Sequence, residues 1–384
     1  MLDKLYPESF FATILPITCT LLVNKGRLSM AHKILVINTG SSTTRVAIMQ
    51  NNQCLAQEEK VHSTEELKAF THLQEEATFR KELITHFLSQ HPEESSSLSA
   101  IGAIGGILKP LPGGVYSINE ALISDIQHGR TPAKHASNIS ALLAYDFAYQ
   151  MKLPAYIVDP ISTDELWEVS RITGFPAIER KSRTHALNVK ACFRKLVSLH
   201  KQDPKGSYII AHLGGGLSVN LVVNGRIVDI EDGRQYGPFS TEAAGGVPIP
   251  DLLQYMMEKE LDPRSLLKYW YGKGGFVAHL GINSIKDTLT MAKDGDSKAQ
   301  ILLDAFIYQI CKAIGALSIA AKGKIKAIVL TGGAARSDII VEKITAYIAT
   351  LAPLYIFPGE NELEAIAESV ELALDQKIPT LEYQ

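Results

Sequence analysis

Ile34-Leu35-Val36-Ile37-Asn38-Thr39-Gly40-Ser41-Ser42-Thr43-Thr44-Arg45-Val46-Ala47-Ile48-Met49 is an apolar run that enters a glycine and hydroxyl turn and returns through a second apolar run. Such a stretch reads as a β-hairpin. The pattern comes back at Tyr208-Ile209-Ile210-Ala211-His212-Leu213-Gly214-Gly215-Gly216, which returns through Leu217-Ser218-Val219-Asn220-Leu221-Val222-Val223. A third run, Ala327-Ile328-Val329-Leu330-Thr331-Gly332-Gly333-Ala334-Ala335, turns instead into a helix-compatible stretch from Ser337 onward. Glycine and small hydroxyls at a strand end let amide N–H groups approach phosphate oxygens closely. Any one such turn is as well explained by simple chain reversal. Two similar hairpins about 175 residues apart point to a duplicated pair of phosphate-binding domains.

The 384 residues leave room for two domains of ordinary size. With 46% hydrophobic and 21% charged residues the chain can bury ample core. A net charge of -3 argues against a general nucleic-acid binder, which needs clustered Lys and Arg, and leaves a small anionic substrate open. Cys19, Cys54, Cys192 and Cys311 show no paired spacing for zinc or a redox motif, so reduced thiols in a cytoplasmic protein are expected. The apolar stretch from Phe10 to Val23, about 14 residues and interrupted by Pro16, is too short to span a membrane. It also lacks the positive front and clean cleavage site of a signal peptide. Residues 1–30 are therefore read as an extension, disordered or not native, with Met30 as an alternative start.

Between the hairpins, Asn51-Asn52 turns the chain into a third strand over Gln53 to Lys60. Ser63 to Gln90 is charged and helix-compatible, Ala100 to Ile104 is a short apolar strand, and Lys109-Pro110-Leu111-Pro112-Gly113-Gly114 must be loop. A broad apolar face predicts a helix over Asn138 to Met151. Ala155 to Val158 is a buried-type strand that delivers Asp159-Pro160 at its carboxyl end, where ligand groups gather in open α/β sheets. Asn224-Gly225 turns the second hairpin into a strand over Arg226 to Ile230. Helices are expected near Pro250 to Glu258, Pro263 to Tyr269, Ser284 to Lys293, Ser297 to Ala321 and Glu362 to Leu374, with Gln376 to Gln384 as a tail.

Nine stretches together resemble the butyrate kinases of the acetokinase family, within the acetate and sugar kinase, heat-shock ATPase and actin superfamily. They are Asn38-Thr39-Gly40-Ser41-Ser42-Thr43, Gly105-Gly106-Ile107-Leu108-Lys109-Pro110, His135-Ala136-Ser137-Asn138, Ile157-Val158-Asp159-Pro160, His185-Ala186-Leu187-Asn188, His212-Leu213-Gly214-Gly215-Gly216, Gly237-Pro238-Phe239-Ser240, Lys273-Gly274-Gly275 and Leu330-Thr331-Gly332-Gly333. The resemblance spans about Lys33 to Asp375. It implies an α/β fold of two ribonuclease-H-like, actin-like ATPase domains with an interdomain nucleotide cleft. The first would be 31–162 plus 364–384 and the second 163–363. The implied reaction takes ATP and a short-chain carboxylate to ADP and an acyl phosphate, reversibly, with Mg²⁺ as cofactor and a self-associating chain as the common form.

A carboxylate acceptor is already ionised at neutral pH, so positioning and charge neutralisation become the whole task. The resemblance makes Asp159, His135 and His185 catalytic, with Asp159 orienting the metal and its waters. It places nucleotide on Asn38, Gly40, Ser41, Ser42, Thr43 and Arg45, on His212, Gly214, Gly215 and Gly216, and on Gly332 and Gly333. Asn38 and Glu362 would serve the metal. Read alone, Asp159 equally caps the turn at Pro160, either His is an ordinary hydrogen-bonded residue, Asn38 shapes a turn, and Glu362 is a helix N-terminal acid. The pattern breaks at two positions. Family members usually carry an Arg where Ile104 stands, and another where Ala243 follows Glu242. No apolar side chain replaces the bidentate hydrogen bonds of a guanidinium. Arg234, Lys109 and Arg183 are the candidate substitutes. Two readings follow: a working acyl kinase, or a nucleotide-binding paralogue impaired in transfer that serves as a sensor or assembly partner.

Overall fold

In the computed structural model, the alternation of apolar strands and glycine turns becomes two sheets built to one plan. The structure describes residues 31–70 and 72–384, so the expectation for residues 1–30 lies outside it. The first six strands are β1 (Lys33–Thr39), β2 (Thr43–Gln50), β3 (Gln53–Val61), β4 (Ala100–Ile104), β5 (Val115–Ser117) and β6 (Ala155–Val158). Then come β7 (Ser207–Leu213), β8 (Leu217–Val223), β9 (Arg226–Asp232), β10 (Ile325–Gly332), β11 (Leu354–Pro358) and β12 (Thr380–Glu382).

One sheet has the order β12-β5-β6-β4-β1-β2-β3 and the other β11-β10-β7-β8-β9. In each, a three-stranded antiparallel meander is extended by parallel strands on its first member: β1 pairs with β4, and β7 with β10. Repetition of β3-β2-β1-β4-β6 as β9-β8-β7-β10-β11 is the duplication expected from the two hairpins. Ile34, Leu35, Val36 and Ile37 are all fully buried, because helices cover both faces of the first sheet and leave β1 no polar side. By contrast, β3 is an edge strand with exposed Glu58, Glu59 and Lys60, charges that discourage further strand addition.

Helix Ser137–Met151 lies on one face of the first sheet. Helix Glu362–Leu374 lies on the other, although it follows the strands of the second sheet in sequence. Gly102 of β4 permits its close approach, since a Cβ there would sit 2.7 Å from Ile366 Cγ2. Helix Ser297–Ala320 is long and apolar enough to cross a membrane, but its Leu303, Phe306, Ile310 and Ile314 fill the core of the second sheet. Its composition is that of a central core helix.

One expectation needs correction. Residues 376–384 are not simply a tail, because β12 pairs in parallel with β5 and Tyr383 is buried. The helix-compatible stretch from Ser63 to Gln90 forms two helices, Thr64–Lys68 and Leu73–Gln90.

Candidate active site

The register of β1 with β2 pairs Thr39 with Thr44 and leaves residues 40–43 to turn the chain. Gly40 N–H closes that turn on the Thr43 carbonyl at 2.9 Å. Thr39 fixes the turn to helix Ser137–Met151: its N–H donates to Ser140 Oγ at 2.8 Å and its hydroxyl to the Ala136 carbonyl at 2.7 Å. From the other side Arg80, fully buried, donates to the Thr43 carbonyl at 2.5 Å and to Thr44 Oγ1 at 3.0 Å, while Glu76 holds the rest of its guanidinium. Ser41 and Ser42 remain exposed at the tip.

The second turn is tighter, with Leu213 opposite Leu217 and Gly214 N–H donating to the Gly216 carbonyl at 3.0 Å. His212 at its head is buried, with Nδ1 3.0 Å from Asn188 Oδ1. His185 stacks on it at a centroid distance of 3.8 Å and an interplanar angle of 13°. Nδ1 of His185 lies 3.0 Å from Ser218 Oγ. Burial, His212 and Arg234 together hold His185 well below the usual histidine range, so it is neutral at physiological pH. The third turn abuts the second: Gly332 has φ +87°, and a Cβ there would lie 2.6 Å from the carbonyl carbon and oxygen of Leu213. Gly332 also exchanges backbone hydrogen bonds with Gly359 at 3.1 and 3.0 Å. Gly333 is exposed beside it.

Residues 360–362 join the two halves of the site. Asn38 Nδ2 donates to Glu362 Oε2 at 2.6 Å, with Arg45 Nη1 3.5 Å from the same oxygen. Glu360 Oε1 lies 3.5 Å from His212 Nε2, which has no hydrogen-bond partner despite its burial. Burial and the charge of Glu360 push the Glu362 carboxyl up, whereas His212 holds Glu360 down. A half-buried carboxylate beside a second one, and an orphaned imidazole nitrogen, are the groups a cation and a phosphate oxygen would satisfy. Among the described residues no cluster of three His, Cys, Asp or Glu could cage a metal. That suits Mg²⁺, which takes one or two carboxylates and fills its shell with phosphate oxygens and water.

His135 precedes helix Ser137–Met151, and the Ser137 N–H donates to its Nδ1 at 3.2 Å. Nδ1 also lies 2.7 Å from Ser137 Oγ, so that nitrogen is engaged by Ser137 and Nε2 is the ring nitrogen left for a ligand. Burial and the charge of Arg234 lower its pKa. Asp159 lies at the end of β6 with φ +39°, a left-handed conformation that costs a non-glycine residue about 1–3 kcal/mol. Its carboxylate is buried and engaged by Arg194 Nη1 at 3.2 Å, and it makes no hydrogen bond to Asn38, Glu362 or either histidine. Desolvation raises its pKa, and Arg194 and Lys190 oppose that rise.

Thus Asn38, Arg45 and Glu362 meet, as do His185, His212 and the Gly214–Gly216 turn, while Asp159 pairs with Arg194 and is hydrogen-bonded to neither group. Ile104 is buried with Val158, Leu187 and Ala365, and Ala243 is buried at the wall of a cavity near Gly215 and Gly216. Arg80, Asn188, Arg194, Ser218 and Glu360 carry contacts that sequence reading missed. Asn188 and Ser218 lay within quoted stretches without being assigned a role, and Glu360 had a signal of its own, since it follows Phe357-Pro358-Gly359, one more apolar strand ending in a glycine turn.

A family model, the Acetokinase family, matches residues 180–371. A "Probable butyrate kinase" of Enterococcus faecalis is 38% identical over 352 residues, covering 91% of this chain and 97% of that protein. One from Listeria monocytogenes is 38% identical over 347 residues, covering 90% and 98%. In fold, the chain is similar to the crystal structure of Porphyromonas gingivalis acetate kinase, with a TM-score of 0.73 at 16% identity over 88% of this chain and 99% of that one. A propionate kinase from Francisella tularensis gives 0.68 at 18% identity, covering 88% and 98%.

Proposed function

The chain belongs to the acetokinase family, and from that premise we propose that it phosphorylates a short-chain carboxylate such as butanoate from ATP, giving an acyl phosphate and ADP. The observation that carries this reading is the segment 360–362, which touches Asn38 of the first glycine turn and His212 of the second. Two backbone cradles from two sheets are thereby drawn to one place, as a triphosphate gripped from both ends requires.

Asn38 and Glu362 would hold Mg²⁺, which supplies charge neutralisation along the phosphates. The Gly40–Thr43 and Gly214–Gly216 turns, with Arg45 and the free Nε2 of His212, bind phosphate oxygens. Gly332 and Gly333 border the nucleoside. His135 and His185 stay neutral and present ring N–H groups to the reacting phosphoryl, so they stabilise an anion without committing a fixed charge. Asp159, held by Arg194, would act on the metal only through intervening water, since it makes no hydrogen bond to Asn38 or Glu362. The acceptor needs no base, because its oxygen is already an anion.

We assign the lobes as 31–162 plus 364–384 and 163–363, a division supported by the packing of helix Glu362–Leu374 on the first sheet. A self-associating cytoplasmic enzyme is the expected form, and exposed Leu253, Met257 and Leu267 on helices Ile249–Glu258 and Pro263–Gly272 offer apolar surface for it. The alternative, a paralogue that binds nucleotide without transfer, rests on Ile104 and Ala243. Purified protein with ATP, Mg²⁺ and acids from acetate to hexanoate, trapped with hydroxylamine, decides between them. Acyl hydroxamate well above the no-enzyme control is expected, and its absence for every acid would refute the kinase reading.

A further inference from the structure

Beside the second glycine turn lies a cavity of about 270 Å³ lined by Arg183, Gly215, Gly216, Arg234, Glu242, Ala243 and Tyr271. Arg45, Arg171, Arg180 and Arg194 are each ion-paired to a carboxylate. Neither Arg183 nor Arg234 has a carboxylate within 4.0 Å among the described residues. Among the described residues, the one side-chain hydrogen bond of Arg183 is a long contact of 3.4 Å to Tyr271 Oη. Glu242, the acid of the cavity wall, accepts from Asn283 at 2.8 Å. The lining thus carries two guanidiniums against one carboxylate, with the buried carboxylate of Asp232 behind it within reach of both arginine charges.

Arg234 also sits at the reacting end of the site. A Cβ on Gly216 would lie 2.8 Å from His185 Nε2 and 3.4 Å from Arg234 Nη2, so imidazole and guanidinium flank the same bare glycine. Its charge reaches both His135 and His185. Its backbone is anchored, with the Arg234 N–H donating to Asp232 Oδ1 at 3.0 Å and the Gly233 N–H to the Leu217 carbonyl at 3.0 Å. Arg183 stands two residues before His185 and lines the same cavity beside Tyr271. Lys109, the third cation of the candidate set, is committed elsewhere: its Nζ is 3.9 Å from Asp125 and 4.3 Å from the ring centre of Tyr383.

We propose that Arg183 and Arg234 bind the phosphoryl group in transit, with Arg234 beside His185 at Gly216 and Arg183 in the lining of the same cavity. This rests on the carboxylate-kinase reading. A carboxylate oxygen forms the new bond to the γ-phosphorus, the bond from phosphorus to the β,γ-bridging oxygen breaks, and its electron pair leaves on ADP with no net proton transfer. Negative charge stays on the equatorial phosphoryl oxygens throughout, and a guanidinium fork matches two of them. Ala243 offers only a methyl at this wall, so the cationic contacts come from these two side chains.

The test uses the whole protein, Arg183→Gln, Arg234→Gln, the double variant and Arg234→Lys, with two readouts. One is hydroxamate formation from butanoate. The other is calorimetric binding of inorganic phosphate to the protein loaded with ADP and Mg²⁺. The double variant is expected to lose at least ~10²-fold in kcat, as removal of a charge-stabilising donor does elsewhere. It should also lose phosphate binding, keep its ADP affinity and its melting temperature, and be partly restored at position 234 by Lys. Turnover and phosphate affinity within about threefold of the parent protein in the double variant would overturn the proposal while leaving the kinase reading intact. Phosphate binding that the double variant loses, in a protein that forms no hydroxamate from any acid, would sink the kinase reading and keep the anion site. A parent protein that binds no phosphate and makes no hydroxamate overturns both.

Discussion

Replacing Gly332 by Ala tests how the third glycine turn supports the second. Gly332 has φ +87° and ψ 179°, a region that residues with a side chain almost never enter. Forcing Ala into it costs about 1–3 kcal/mol. The new methyl would also stand 2.6 Å from the carbonyl carbon and oxygen of Leu213 and 2.8 Å from its nitrogen. These are backbone atoms of β7, which cannot rotate away, so overpacking adds about 1–3 kcal/mol. The expected loss is about 2–6 kcal/mol, a large share of the ~5–15 kcal/mol that holds a typical fold. Gly333→Ala is the control, since that position is exposed and meets nothing within 4 Å. Urea unfolding monitored by far-UV circular dichroism gives both values, and calorimetry with ADP and Mg²⁺ below the unfolding range shows whether the displaced β7 turn still binds. A Gly332→Ala cost under about 1 kcal/mol, or an equal cost at Gly333, would refute the reasoning.

Arg80→Ala removes the brace of the first turn and leaves Glu76 without its partner; a loss of about 3–5 kcal/mol in urea unfolding is expected, with weaker ADP binding. Burial pushes Glu231 up to about 7 against the attraction of Arg180. Because its folded value exceeds the ordinary one, the folded chain holds a proton that the unfolded chain releases, and stability should rise as pH falls from about 8 toward 5, by up to ~3 kcal/mol. Glu231→Gln should flatten that slope in thermal melts, and an unchanged slope would assign the effect to other groups. Glu362→Gln should raise the Mg²⁺ concentration for half-maximal hydroxamate formation by roughly 10- to 100-fold, and an unaltered Mg²⁺ dependence would remove it from the metal.

The glycine turns were legible because their signal is local: an apolar strand, a bare turn and a returning strand occupy one short window. The duplication followed from finding that window twice, and the sheet orders repeat it. Helix Glu362–Leu374 was legible from its own apolar face, but its place on the first sheet was not, since nothing within those residues says which strands they cover. Thr380–Glu382 lacks any independent strand signal and becomes β12 only because β5 lies beside it. Arg80 read as one charge on a charged helix. Its burial depends on Thr43 and Thr44, residues more than thirty positions away. Asp159 was found at its strand end, but Arg194 was not, because the ion pair joins two elements that only the fold brings together.

The helix that begins at Glu362 is a rod seated in the core of one half of the molecule, while the two residues before it reach the phosphate turn of the other half through Glu360 and His212. A change of angle between the halves cannot be absorbed in slack chain, because the connection is shorter than one helical turn. A nucleotide held by both glycine turns, as proposed, would therefore meet them through one short link that carries a carboxylate to each, Glu362 beside Asn38 and Glu360 beside His212.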